Sequence, residues 1–145
     1  MIFIYHGQWS GYENRLEVHL RRQAEEKENE SVKKYYQKLM KILKEPAFTS
    51  SSFHYIDNIT GNLKDNLVAY IRETEDNHYL IVVNYSSKEG CSHVPIYNVE
   101  PKDGRANFLE VMEGYLYAIS EDAIKKSGLI VCLNPWEAKI YKYNY

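Results

Sequence analysis

From Phe53 onward the sequence is a succession of short apolar runs broken by turn residues, and this pattern limits the available folds more than any other feature. "FHYIDN" alternates. "NLVAYIRE" and "YLIVVNYS" flank "TEDNH" and read as a β-hairpin. "SKEG" and "PKDGR" are turns, and between them "HVPIYNV" reads as a strand. Its Pro95 lacks an N–H, which points to a sheet edge or a bulge. "NFLEVM" and "YLYAI" around "EG" form a second hairpin, and "SEDAIKKSG" is a polar connection. "GLIVCL" and "EAKIYKY" around "NPW" read as a third hairpin. About eight strands at this spacing predict a mainly β chain, with an antiparallel sandwich of two packed sheets over residues 53–145.

Residues 1–46 have a different texture. "MIFIY" is a continuous apolar run, the pattern of a strand covered on both faces in a parallel sheet. Residues 7–14 form a polar, glycine-containing loop. "RLEVHL" alternates, which suggests a short extended segment with one buried side, and "RRQAEEKENE" is a solvated charge run. Over residues 31–44, Val32, Tyr35, Tyr36, Leu39, Met40 and Leu43 recur at helical spacing. Ser31 or Asn29 can cap that helix, and Pro46 stops it. The result is one βα unit over 1–46, then the linker-like "AFTSSS", then the sandwich. A lone βα unit is not a domain, because its strand needs parallel neighbours. "MIFIY" therefore reads as the last strand of a sheet or barrel whose other strands lie outside this sequence. Each large apolar side chain left in water forgoes roughly 1.5–3 kcal/mol of burial, and an unpaired strand edge invites pairing. Self-association through this strand, or disorder of residues 1–12, is the expectation for the chain alone.

Chemistry-bearing motifs are sparse. A net charge of −2 argues against a nucleic-acid or anionic-membrane partner. No run approaches the roughly 20 apolar residues of a membrane span, and no basic stretch precedes "MIFIY" as in a signal peptide. The chain reads as cytoplasmic, with Cys91 and Cys132 reduced and Cys132 a small core residue within "LIVCL". Spacing leaves open whether the two cysteines pair. The five histidines show no H-x-x-x-H spacing, and the cysteines no C-x-x-C, so no metal site is expected. Seven single glycines form no phosphate cradle, no cofactor is implied, and "SSS" has no glycine elbow. Glu110 and Glu113 are expected to face solvent on a hairpin. The 14 tyrosines fall mostly inside strand-like runs, although tyrosine also suits contact with sugars or partner proteins.

"FIYHGQ", "ENRLEVHLRR", "YYQKLMKIL" and "PAF", in this order, resemble the end of the catalytic barrel in the α-amylase superfamily, glycoside hydrolase family 13. Gly7 and Gln8 match the Gly-Gln-Glu that closes the family's last barrel strand, whereas Trp9 replaces the usual glutamate. "NLVAYIRE…YLIVVNYS" and "LNPWEAKIYKY" look like the opening and closing hairpins of the family's C-terminal sandwich, domain C. The resemblance implies retaining cleavage or transfer of α-glucosidic bonds by a carboxylate pair about 5–5.5 Å apart. The family's catalytic carboxylates would precede Met1, so no catalytic residue is carried over. Barrel sites form from loops at the C-terminal ends of strands, which makes Gln8, Trp9 and Tyr12 candidates for the rim of a sugar site. The implied chain is a non-catalytic C-terminal region, as a fragment or truncated homologue. A free-standing carbohydrate-binding sandwich with α-glucan as partner, or an interaction module, are the alternatives.

Overall fold

The computed structural model describes residues 3–14, 19, 22, 25–49 and 52–144. The chain divides into two compact units, Met1–Lys44 and Glu45–Tyr145.

In the first unit, α1 (Glu30–Ile42) forms where the apolar periodicity predicts it. Asn29 is the cap: its side-chain oxygen accepts from the N–H groups of Ser31 and Val32, at 3.1 and 3.2 Å. Glu30 lies at the positive end of the helix and Lys41 at the negative end. The strand expected at residues 2–5 is not formed across the described residues 3–5. Phe3 is 83% exposed and Tyr5 51%. An apolar run becomes a strand only where another backbone completes its ladder, and residues 3–5 have none among the described residues. The extended segment expected at "RLEVHL" falls largely outside the described residues.

The second unit is an antiparallel sandwich. It opens with a helical turn, α2 (Pro46–Thr49). Strands β1 (Ser52–Ile56), β2 (Thr60–Gly61), β3 (Leu67–Glu73), β4 (His78–Asn84), β5 (Gly90–Val94), β6 (Arg105–Glu110) and β7 (Tyr115–Ser120) follow. Then come α3 (Glu121–Ser127), β8 (Leu129–Leu133) and β9 (Ala138–Tyr143). The large sheet runs β1-β3-β4-β9-β6-β7 and the small sheet β2-β5-β8, with every neighbouring pair antiparallel. Side chains from both sheets meet in one core that includes Ile56, Leu80, Val82, Val94, Phe108, Leu129, Val131 and Tyr143. On β4, Tyr79, Leu80, Ile81 and Val82 are all buried, so both faces of this strand are covered. Leu80 and Val82 face the small sheet's side. On the other face Phe48 of α2 packs 4.9 Å from the Tyr79 ring, and Arg72 Nε donates to the Ala47 carbonyl. Burial pushes the Tyr79 phenol up to about 12.

Several expectations are corrected here. β5 ends at Val94 rather than running through Pro95, whose missing N–H cannot continue the ladder. The "polar connection" is α3, capped by Ser120, whose hydroxyl accepts from the Ala123 N–H, and terminated at Gly128. Gly128 has φ +71°, and a Cβ there would lie 2.2 Å from the Val94 carbonyl oxygen, so only glycine fits where α3 turns into β8. β8 and β9 are not a hairpin. β8 pairs with β5 in the small sheet and β9 with β4 and β6 in the large one, so "NPW" is a crossing between layers. Trp136 in that crossing adopts φ +60°, an uncommon conformation for an aromatic residue.

Glu110 is buried rather than solvent-facing. Its carboxylate accepts from the N–H groups of Met112, Glu113 and Ile140, which stitches the β6–β7 turn to β9. Asn84, equally buried, donates to the carbonyls of Lys88 (2.6 Å) and Asn134 (2.8 Å) and accepts from the Ser86 hydroxyl. It ties the β4–β5 turn to the inter-sheet crossing. Finally, Cys91 and Cys132 are not reduced core thiols. They stand opposite one another on β5 and β8, joined by a disulfide, and both are exposed. Cys132 alternates with Val131 and Leu133, and the period of two sends its side chain outward.

Candidate functional site

Gln8, Trp9 and Tyr12 share one turn-rich loop in the first unit. Tyr12 and Ser10 donate their N–H groups to the Gly7 carbonyl, and Gly7 takes φ +79°. Gln8 accepts the Tyr5 N–H at 3.1 Å and donates through Nε2 to the Tyr36 hydroxyl at 2.6 Å. The Trp9 ring stacks on Tyr36, with centroids 5.9 Å apart. The loop is therefore fastened to α1 through Tyr36, leaving Gln8 exposed and Trp9 and Tyr12 half-buried. Two carboxylates brace it. Glu26 accepts from the N–H groups of Glu13 and Asn14, and the Glu13 hydrogen bond holds its carboxyl below the usual 4.5. Glu28 accepts from Lys33 (2.5 Å) and the Ser10 hydroxyl (3.2 Å), and Lys33 lowers its pKa first of all. These groups order a polar surface loop with one half-covered indole.

The second unit offers a larger hollow of about 750 Å³, between the β5–β6 loop, β2 and α3. That volume lies within the range of small-molecule sites. Ile96, Val99 and Ile124 supply apolar lining, and Asn58, Thr60, Asn98 and Ser127 supply neutral hydrogen-bonding groups. Tyr97 is 53% exposed at the hollow. Glu121 and Lys125 also line it and pair with each other at 2.5 Å, which offsets their charges. Lys126 and His93 line it too, so the hollow combines apolar, neutral hydrogen-bonding and basic groups. Sequence reading missed this hollow. The available signal was the long β5–β6 connection "PIYNVEPKDG", too long for a tight turn and carrying an aromatic and an amide.

Elsewhere Glu73 bridges two imidazoles, with His54 Nε2 at 2.9 Å and His78 Nε2 at 3.4 Å. Among the described residues no group of three or more His, Cys, Asp or Glu is arranged to hold a metal ion. Tyr85 and Trp136, 73% and 63% exposed, meet edge to face at 5.5 Å beside the inter-sheet crossing. Among the described residues no helix is long and apolar enough to cross a membrane.

The architecture has close counterparts in solved structures. An α-amylase from Geobacillus thermoleovorans, solved with acarbose, superposes with a TM-score of 0.63 at 18% identity, over 86% of this chain and 25% of its own. An Anoxybacillus α-amylase superposes at 0.58 with 19% identity, over 81% of this chain and 23% of its own. The fold is that of the α-amylase C-terminal sandwich. A trehalose-6-phosphate hydrolase from Bacillus licheniformis shares the amylase-type sandwich at TM-score 0.51 and 18% identity, over 79% of this chain and 18% of its own. The chain thus spans about a quarter or less of the amylase-type structures it matches. No protein-family model and no curated protein matches the sequence.

Proposed function

We propose that this chain is the non-catalytic C-terminal region of an α-amylase-family protein acting on α-glucosidic bonds, present as a fragment or truncated homologue. One observation carries the reading: the amylase-type fold covers 86% of this chain but only 25% of the amylase it matches. The region's role is to cover the flank of a catalytic barrel. Purified chain incubated with starch is expected to release no reducing sugar, and release above a buffer control overturns the proposal. A sharper arm adds the chain to an α-amylase barrel lacking its own sandwich. Restored solubility and activity support the reading, and no association counts against it.

A second reading, a free-standing carbohydrate-binding sandwich with α-glucan as ligand, is favoured by the Tyr97-lined hollow and its neutral amides and hydroxyls. Retardation in glucan-affinity electrophoresis would support it, and unretarded migration would count against it. In that reading or the first, Gln8, Trp9 and Tyr12 would line the rim of a sugar site only with further barrel loops beside them. Self-association through residues 3–5 is a separate proposal, motivated by the exposure of Phe3 and Tyr5, and a monomer by light scattering would remove it. The Cys91–Cys132 bond speaks against a cytoplasmic setting, because disulfides persist mainly in oxidising compartments.

A further inference from the structure

We propose that Cys91–Cys132 is a reversible dithiol–disulfide site that clamps the edge strand β8 and is opened, in the folded protein, by a dithiol. The proposal stands apart from the α-amylase reading and would survive its failure.

The geometry separates the cross-link from the core. Cys91 and Cys132 are directly opposed on β5 and β8, and both point outward. The residues that hold these strands to the rest of the sandwich are their inward neighbours, Ser92, Val94, Val131 and Leu133, all buried. Ser92 also accepts the Leu63 N–H through its hydroxyl at 3.0 Å. The core therefore does not depend on the sulfurs. Access is equally clear: both cysteines line an open hollow of about 430 Å³, together with Glu89, Asn134, Glu137 and Lys139. A buried structural disulfide would have to wait for the protein to open, whereas this one meets solvent in the native state.

The consequence falls on β8. Among the described residues it is an edge strand, paired in the small sheet with β5. Its outward side chains are Ile130, which is 58% exposed, and Cys132 itself. With the bond closed, β8 is tethered covalently to the centre of its sheet. With the bond open, the ladder, the inward side chains and the hydrogen bond from Lys139 Nζ to the Cys132 carbonyl (2.8 Å) hold it. In the chemical step, a thiolate of the incoming dithiol attacks one sulfur of the pair and expels the other as a thiolate. A mixed disulfide forms. The second thiol of the dithiol then displaces the remaining protein sulfur. The protein gains two electrons and two protons as a pair of thiols, and the dithiol leaves as its disulfide.

The test uses the intact chain and dithiothreitol as the probe, with iodoacetamide trapping and mass spectrometry. Both cysteines should be alkylated under native conditions, at a rate unchanged by urea below the unfolding transition. A rate that climbs with urea means reduction waits for unfolding and overturns the proposal. Amide exchange at residues 129–133 should rise roughly ten-fold or more on reduction, stay unchanged in β4 and β9, and return on reoxidation. Loss of the far-UV dichroism on reduction, or failure of the two thiols to re-pair, also overturns it. Cys91→Ser combined with Cys132→Ser should reproduce the exchange profile of the reduced wild type. The wild-type measurement decides the matter if that variant does not fold.

Discussion

"MIFIY" and "YLIVV" look alike as text, yet the molecule treats them in opposite ways. Residues 79–82 are buried on both faces of β4, between β3 and β9. Phe3 and Tyr5 of the other run face solvent and carry no ladder. Composition does not separate the two. Partners do: β4 is flanked on both sides by strands whose registers match it residue for residue, Leu80 opposite Ile71 on one side and Tyr141 on the other. A continuous apolar run reports that a strand could be covered twice, and only non-local pairing decides whether it is.

The largest test of this contrast is Leu80→Ala. Leu80 is fully buried between the two sheets, and removing it deletes apolar contacts and leaves a cavity. Chemical denaturation should show a loss of about 2–5 kcal/mol, and a loss under 1 kcal/mol would mean that the core does not close around β4.

A smaller, local effect is expected in the first unit on acidification. Glu26 and Glu28 have carboxyls held below 4.5 by hydrogen bonds from Glu13 and Lys33 respectively. A depressed carboxylate stabilises the folded loop above its unfolded pKa, and that contribution disappears as pH falls from 4.5 through the folded value. Both groups are open to solvent, so the response should be a loosening of residues 10–14 rather than global unfolding. Amide shifts of Glu13 and Asn14 followed below pH 4.5 will show it. Shifts that move only with the β4 signals would contradict it.

The smallest effect belongs to Phe3→Ser. With Phe3 83% exposed, the midpoint of unfolding should change by no more than about 0.5 kcal/mol. A larger loss would show that residue 3 is covered in solution and would bring the two runs together again.

The same contrast explains what could be read from the chain. Hairpins β3–β4 and β6–β7 were legible because each is closed by adjacent turn residues, "TEDNH" and "EG", acting over a few positions. β8 and β9 carry equally good local signals, yet they join different sheets, which no local pattern encodes. α3 was legible in principle: Ser120 as cap, Glu121 and Asp122 in its first turn, Lys125 and Lys126 in its last, and Gly128 at its end. Its brevity hid its periodicity. Gln8, Trp9 and Tyr12 fall on one loop because they are neighbours in sequence. Their anchor, Tyr36, lies 28 residues from Gln8 and was read only as part of a helix face. The hollow beside Tyr97 and the pairing of two cysteines 41 residues apart arise from strand order, and the β5–β8 pairing becomes visible only once that order is known.

Strand β9 holds the middle of the large sheet, between β4 and β6. During synthesis, β1-β3-β4 and β6-β7 can each form as ribbons, but among the described strands none joins them into one sheet until Ala138–Tyr143 has left the ribosome. The keystone is thus laid after the other stones of the described fold, and a nascent chain stalled short of it would hold two half-sheets with open borders, the form in which a chaperone would meet it.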